Sequence, residues 1–311
     1  MAVLGVTVLT QPNKTPSRQS LLTIQASKNK FSLDFSLIPK DQEKASYIFE
    51  KLNLDPKTAN NIEFELDSTS SAKLAFALPI AANFSFEENR VNLNGQISGL
   101  APKETLQPKT QVKLPTAASL VLAGSNLRNL IDQKYELSIQ LKDWLNSNTE
   151  NGGREYLAIF TKNPQFIFVS NKSQAEDLSS LGAIFEGQDE KYKQETQEDI
   201  NFHLIKVGQD QLETLSIFQY ENLLIISSSL ESAKKFIAIQ KGQEEHANFT
   251  KIMTNGLSYA LVFQNDQAEE STKALAFISS DVTKIQKFVE KIKSLELYIQ
   301  GKDFNGSVTF L

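Results

Sequence analysis

The feature that most constrains this chain is a two-residue alternation of apolar and polar side chains through its first third. Phe31, Leu33, Phe35 and Leu37 fall on one side, with Ser32, Asp34 and Ser36 between them. Ile62, Phe64 and Leu66 alternate with Glu63 and Glu65; Leu74, Phe76, Leu78 and Ile80 keep the same spacing, and Val91, Leu93 and Ile97 continue it. Successive side chains of a strand point to opposite faces, so the pattern specifies strands with one buried face. Asp41 is placed to cap a helix running to about Leu52, with Ala45, Ile48, Phe49 and Leu52 as its apolar stripe and Pro56 as its stop.

Gly99, Pro102, Pro108 and Pro115 punctuate an aperiodic polar stretch that reads as a linker. Single hydrophobic cores stop growing near roughly 250–300 residues. A chain of 311 residues, 40% of them apolar, is therefore expected to form two domains. Residues 1–105 make a β-rich domain with one helix, and residues 113–311 an α+β domain.

The second region opens on an apolar strand, Ala117 to Ala123, after which Ser125 or Asn126 caps one long helix carrying Leu127, Leu130, Ile131, Leu141, Trp144 and Leu145. Tyr135, Leu137, Ile139 and Leu141 also alternate, which leaves a strand as the alternative over that stretch. Beyond Gly152-Gly153 one plan repeats: paired strands, then a helix. Strands Tyr156–Thr161 and Phe166–Ser170 precede a helix from Gln174 to Phe185. Strands Phe202–Val207, Leu215–Tyr220 and Leu223–Ser227 precede a helix capped near Ser229 with Leu230, Ala233, Phe236 and Ile237 inward. Strands Tyr259–Phe263 and Leu275–Ser279 precede a helix opened by Ser280 or Asp281, with Val282, Ile285, Phe288, Val289 and Ile292 at helical spacing. Leu295–Ile299 and Val308–Leu311 close the chain, joined by a turn at Asp303-Phe-Asn-Gly306. Such short connections imply antiparallel pairs, so the expected fold class is α+β: largely antiparallel sheets with helices packed on one face.

The residues that carry chemistry are sparse. There is no cysteine, which removes disulfides, thiolate nucleophiles and cysteine-ligated metals. The two histidines, His203 and His246, lack the spacing of a helical zinc pair. His203 reads as an exposed strand residue, and Glu244, Glu245 and His246 as a solvated loop rather than an ion site. Ser125 follows a strand, but no Gly-x-Ser-x-Gly elbow surrounds it; it reads as a helix cap, as do Ser227, Ser228 and Ser229. Glu87-Glu88, Glu269-Glu270 and the acidic run Glu186 to Asp199 offer paired carboxylates, and the run, with Lys191 and Lys193 in it, reads as a solvated loop. No glycine-rich phosphate loop occurs. Catalytic, cofactor-binding and metal-ligating residues are therefore all expected to be none.

The formal charge of −5 argues against nucleic acid as a partner, since phosphate neutralisation needs a basic face. Residues 1–9 are apolar but shorter than the roughly 20 residues that span a bilayer, and are either a strand or the end of a membrane anchor. Asn-x-Ser/Thr triplets start at Asn13, Asn83, Asn171, Asn248 and Asn305; an Asn- and Ser-rich chain produces them by chance. Twenty phenylalanines, many on alternating strands, read as core.

Three fragments carry a resemblance: Leu114-Pro-Thr-Ala-Ala-Ser-Leu-Val-Leu-Ala123, the segment Phe218 to Ala233, and Leu257-Ser-Tyr-Ala-Leu-Val-Phe263. On these, residues 113–311 resemble a bacterial extracytoplasmic family known only as a domain of unknown function, usually carried behind an N-terminal membrane anchor. The resemblance implies an extracytoplasmic, envelope location, with a cytoplasmic one as the alternative, and brings no catalytic residues. The expected function is a non-enzymatic binding or scaffold protein of the bacterial cell envelope with a protein or envelope polymer as partner, near the membrane through an anchor. The alternatives are a carrier of lipid or another apolar ligand on a Phe-rich curved sheet, and an envelope hydrolase.

Overall fold

The computed structural model describes residues 103–311 except 109, 161–164, 174–177, 209, 211–212, 248, 250, 266–267, 276, 278–285 and 287–288; before these it describes 20–27, 30–36, 46, 50, 61–65, 80–87 and 89–97. In chain order the strands are β1 (Ser20–Ser27), β2 (Lys30–Ser36), β3 (Asn61–Glu65), β4 (Ile80–Glu87), β5 (Arg90–Ile97), β6 (Leu114–Pro115), β7 (Ala118–Gly124), β8 (Glu155–Phe160), β9 (Phe166–Asn171), β10 (Tyr192–Gln197), β11 (Ile200–Val207), β12 (Glu213–Tyr220), β13 (Leu223–Ser227), β14 (His246–Ala247), β15 (Leu257–Gln264), β16 (Ile292–Gln300) and β17 (Asp303–Phe310). The helices are α1 (Arg128–Tyr135), α2 (Ile139–Asn148), α3 (Ser180–Ile184), α4 (Leu230–Gln240) and α5 (Ala268–Leu275).

Fifteen of these strands form one antiparallel sheet in the order β10-β11-β12-β13-β9-β8-β7-β15-β16-β17-β5-β4-β1-β2-β3, and β6 pairs with β14 in a separate ribbon. The fold is α+β. Because β17 pairs with β5 from Asp303↔Gln96 to Thr309↔Arg90, the regions on either side of residues 99–115 share this sheet.

Strands β7, β8, β9 and β13 are buried along their whole length. They read as continuous apolar runs because both faces are covered. On one face Leu120, Leu157, Phe168 and Ile226 meet Ile131 and Tyr135 of α1, Leu141 and Trp144 of α2, Leu181 of α3 and Leu275 of α5. On the other, Val121, Ala158, Val169 and Ile225 meet Ala233, Phe236 and Ile237 of α4, with Val112 and Leu114 beside them. The helices are thus divided: α4 sits opposite the rest, a refinement forced by strands whose two faces are equally apolar.

Several local expectations change. The long helix is two, broken where Glu136 turns left-handed at φ 48° and Ser138 restarts the chain by accepting from the Leu141 N–H at 3.3 Å. The alternation of Tyr135, Leu137 and Leu141 marked that break: all three are buried, whereas Ile139 is 73% exposed. The acidic run is not a loop, because Tyr192–Gln197 forms the edge strand β10 on β11. Leu275 ends a helix instead of opening a strand, and Phe277 follows in a turn, 5.4 Å from Phe166 between ring centres. Ile292, expected on a helical stripe, starts β16. The final turn is Gly301-Lys302, since Gln300 pairs with Asp303. Gly306 lies inside β17, where a Cβ would come within 2.7 Å of a Leu297 methyl and 2.8 Å of the Glu296 carbonyl. That glycine serves close strand approach, not turning. Of the helix expected at 41–52 only Ser46 and Glu50 are described, both helical; its remaining residues, most of the helix expected at 280–292, and residues 1–9 lie outside the described residues.

Candidate functional site

An open groove of about 730 Å³ lies at the outer end of the sheet. Hairpin tips and helix ends build it. The two-residue connection of β10 and β11 is Glu198-Asp199, at φ 49° and 61°, and the β12–β13 connection begins with Glu221 at φ 50°. Left-handed backbone suits tight hairpin loops, and three of the five non-glycine residues that adopt it among the described residues stand around this groove. Leu178 to Gly182, entering α3, close one side, and Lys241 at the end of α4 reaches the other.

His203 lies at the bottom. It was expected to be exposed, but it is 2% exposed on β11 and faces the core covered by α3. Its Nδ1 is 2.7 Å from the Tyr192 hydroxyl. The Tyr192 ring stacks on Phe185, 5.6 Å between centres and 2° from parallel, which fixes where its hydroxyl points. Burial pushes the Tyr192 phenol up from its ordinary range, so it stays a hydrogen-bond donor at neutral pH. The hydroxyl and Nδ1 share one hydrogen bond, whose direction follows the imidazole tautomer. Above this pair the lining is Gln194, Asn201 and Gln219 with a second tyrosine, Tyr220. Three acids, Glu198, Asp199 and Glu221, face one base, Lys241. The Lys241 ammonium donates to Glu198 at 2.7 Å, holding that carboxyl below its usual range while its own pKa moves up.

Other sequence candidates are dispersed. Strand β7, which leads to Ser125, is five strand spacings from β11, roughly 24 Å at about 4.8 Å each. The Ser125 carbonyl accepts from the Tyr259 hydroxyl at 2.8 Å. His246 is exposed on β14 beside exposed Glu244 and Glu245. Among the described residues no three His, Asp or Glu side chains are grouped to hold a metal ion. Ser229 caps α4, accepting from the Ser232 N–H at 3.1 Å, as its position before the helix implied. Ser228 accepts from the Phe166 N–H at 3.0 Å. The side chains of Glu88, Glu269 and Glu270 lie outside the described residues, as do those of the Phe-rich strands β1, β2 and β3.

Two charged residues that the sequence did not flag are buried. Arg154 at 0% exposure directs Nε to the Thr105 hydroxyl at 2.8 Å, Nη1 to the carbonyls of Thr254 at 2.9 Å and Ile252 at 3.3 Å, and Nη2 to those of Leu257 at 3.1 Å and Thr105 at 3.3 Å. All five donors are used, each on neutral oxygen. Glu155 next to it caps α1 in place of Ser125 or Asn126, accepting from the Arg128 N–H at 3.1 Å and pairing with the Arg128 guanidinium. Burial pushes the Glu155 carboxyl up, and Arg128 opposes that shift without cancelling it. Both residues complete the fold around β8; neither lines the groove.

No family model matches the chain, and no curated protein matches it. Two solved structures are similar over part of it. Crystal form I of TP0453 is 15% identical with a TM-score of 0.40, covering 61% of this chain and 72% of that one. Crystal form IV of TP0453 is 14% identical with a TM-score of 0.36, covering 62% and 89%. No helix among the described residues is long and apolar enough to cross a membrane.

Proposed function

We propose that this chain is a non-enzymatic binding protein of the bacterial cell envelope, and that the groove over Tyr192 and His203 is its contact surface. The groove carries the reading. Its volume of about 730 Å³ falls within the roughly 300–1,000 Å³ of ligand sites, and its lining mixes aromatic, amide and charged groups that converge on one cleft. The single imidazole there has one nitrogen engaged by a phenol, and the stacked Phe185 and Tyr192 hold that arrangement rigid. A rigid aromatic wall favours recognition, because little conformational entropy is lost there on binding. The envelope location extends the expectation drawn from the sequence fragments 114–123, 218–233 and 257–263.

A photo-crosslinking residue at Gln194 or Asn201, both exposed at the groove, tests this in cells of the native source. The expected result is a discrete crosslinked species from the envelope fraction, lost when the same residue is placed at exposed Lys302. Equal crosslinking from Lys302, or recovery of the protein only from the cytosol, would refute the proposal.

A further inference from the structure

The groove's chemistry narrows what it takes, if it is the contact surface proposed above. We infer that its ligand is a hydroxyl-rich saccharide. Anionic ligands are opposed by Glu198, Asp199 and Glu221, and the one cation, Lys241, is already bonded to Glu198. An apolar ligand would find only Leu178 and Ile200 as aliphatic lining, and would strand the polar groups around them without partners. The charged side chains of a basic peptide are drawn by the acids but need acceptors alone, and only its backbone could use the groove's amides. Those amides still offer both roles: Gln194, Asn201 through Nδ2 beside an Oδ1 that Thr196 engages, and Gln219 through Oε1 beside an Nε2 that donates to the Glu221 carbonyl. A sugar hydroxyl both donates and accepts. It is the ligand group that satisfies carboxylates, amides and the Tyr220 phenol at once. Tyr220, half-buried at the groove, adds flat apolar surface for the C–H face of a sugar ring.

The test uses the full chain on an array of neutral, amino-substituted and acidic oligosaccharides, with tetralysine and oleate measured by titration calorimetry as competing ligand classes. The Gln194→Ala/Asn201→Ala double variant removes two exposed amides and leaves the core intact, which an unchanged melting temperature verifies. Tyr192→Phe removes the hydroxyl and keeps the ring on Phe185. The expected result is retention of neutral or amino oligosaccharides, weakened at least tenfold by the double variant. Retention of no saccharide overturns the inference. If tetralysine or oleate binds instead and the double variant abolishes it, the saccharide class falls while the groove stands as a binding surface. Saccharide binding that the double variant leaves unchanged places the site elsewhere, and overturns both the inference and the proposal beneath it.

Discussion

Replacing Arg154 with alanine should destabilise the protein by about 3–5 kcal/mol and should loosen two named segments before the rest. The guanidinium joins the stretch around Thr105 and Leu106 to the loop Ile252–Leu257, both distant in sequence from β8. Truncation does not orphan every acceptor. The Leu257 carbonyl keeps its bonds from the Thr105 hydroxyl at 3.0 Å and the Thr105 N–H at 3.2 Å, and exposed Thr254 turns to water. The carbonyls of Ile252 and Thr105 are left, at roughly 1–3 kcal/mol each for a buried unsatisfied group. The emptied volume of a large buried side chain adds to this, and removing an unpaired buried charge subtracts from it. Arg154→Lys keeps the charge but offers three donors for five bonds, and should recover less than half of the loss. Urea unfolding gives the total, and amide hydrogen exchange gives its location. A loss under 1 kcal/mol, or exchange that rises uniformly instead of first at 103–108 and 252–257, would refute the reasoning.

Gly306→Ala forces a Cβ within 2.8 Å of the Glu296 carbonyl, a backbone atom that cannot rotate away, and should cost about 1–3 kcal/mol in a thermal melt. Ser229→Ala removes the cap of α4 and should cost about 0.5–2 kcal/mol by urea titration, with Ser229→Asp restoring most of it. Glu155 binds its proton more tightly folded than unfolded, so its share of stability is present below the ordinary glutamate range and is lost as pH rises through the elevated value. Denaturation of Glu155→Gln across that window should show a flatter pH dependence than the parent; an identical slope would contradict the assignment.

How much of this was legible in the sequence depends on which physical signal each residue left. Strands β7, β8, β9, β13 and β15 were readable because apolar runs bounded by glycine or polar turns have few other uses. The cap at Ser229 was readable because it needs only local sequence. Breaking the helix at Glu136 was half visible, in an alternation that helical spacing does not explain. The groove was not visible. His203 sits in the run Asn201 to Lys206, where alternation permits either face to be buried; what lies against it is Tyr192 of the edge strand β10, itself stacked on Phe185. Arg154 and Glu155 were hidden for a similar reason: their partners lie 27 to 103 residues away, and no local pattern reports such distances.

That distribution explains why the groove lies where it does. Strands covered on both faces have no side chain left to present, so β7, β8, β9 and β13 supply stability and nothing that faces solvent. The binding role proposed for the groove therefore falls to the rim, where α3 begins, α4 ends and the hairpin tips protrude. A tip must turn within two residues, which places Glu198, Asp199 and Glu221 in left-handed backbone that glycine would adopt with less strain. Carboxylates at all three positions give the groove its acidic edge, whereas glycines would have made the turns easier and the edge neutral. Replacing Glu198-Asp199 with Asn-Gly should therefore raise the melting temperature while weakening the saccharide binding proposed for the groove, a divergence that a purely structural role for the turn does not produce.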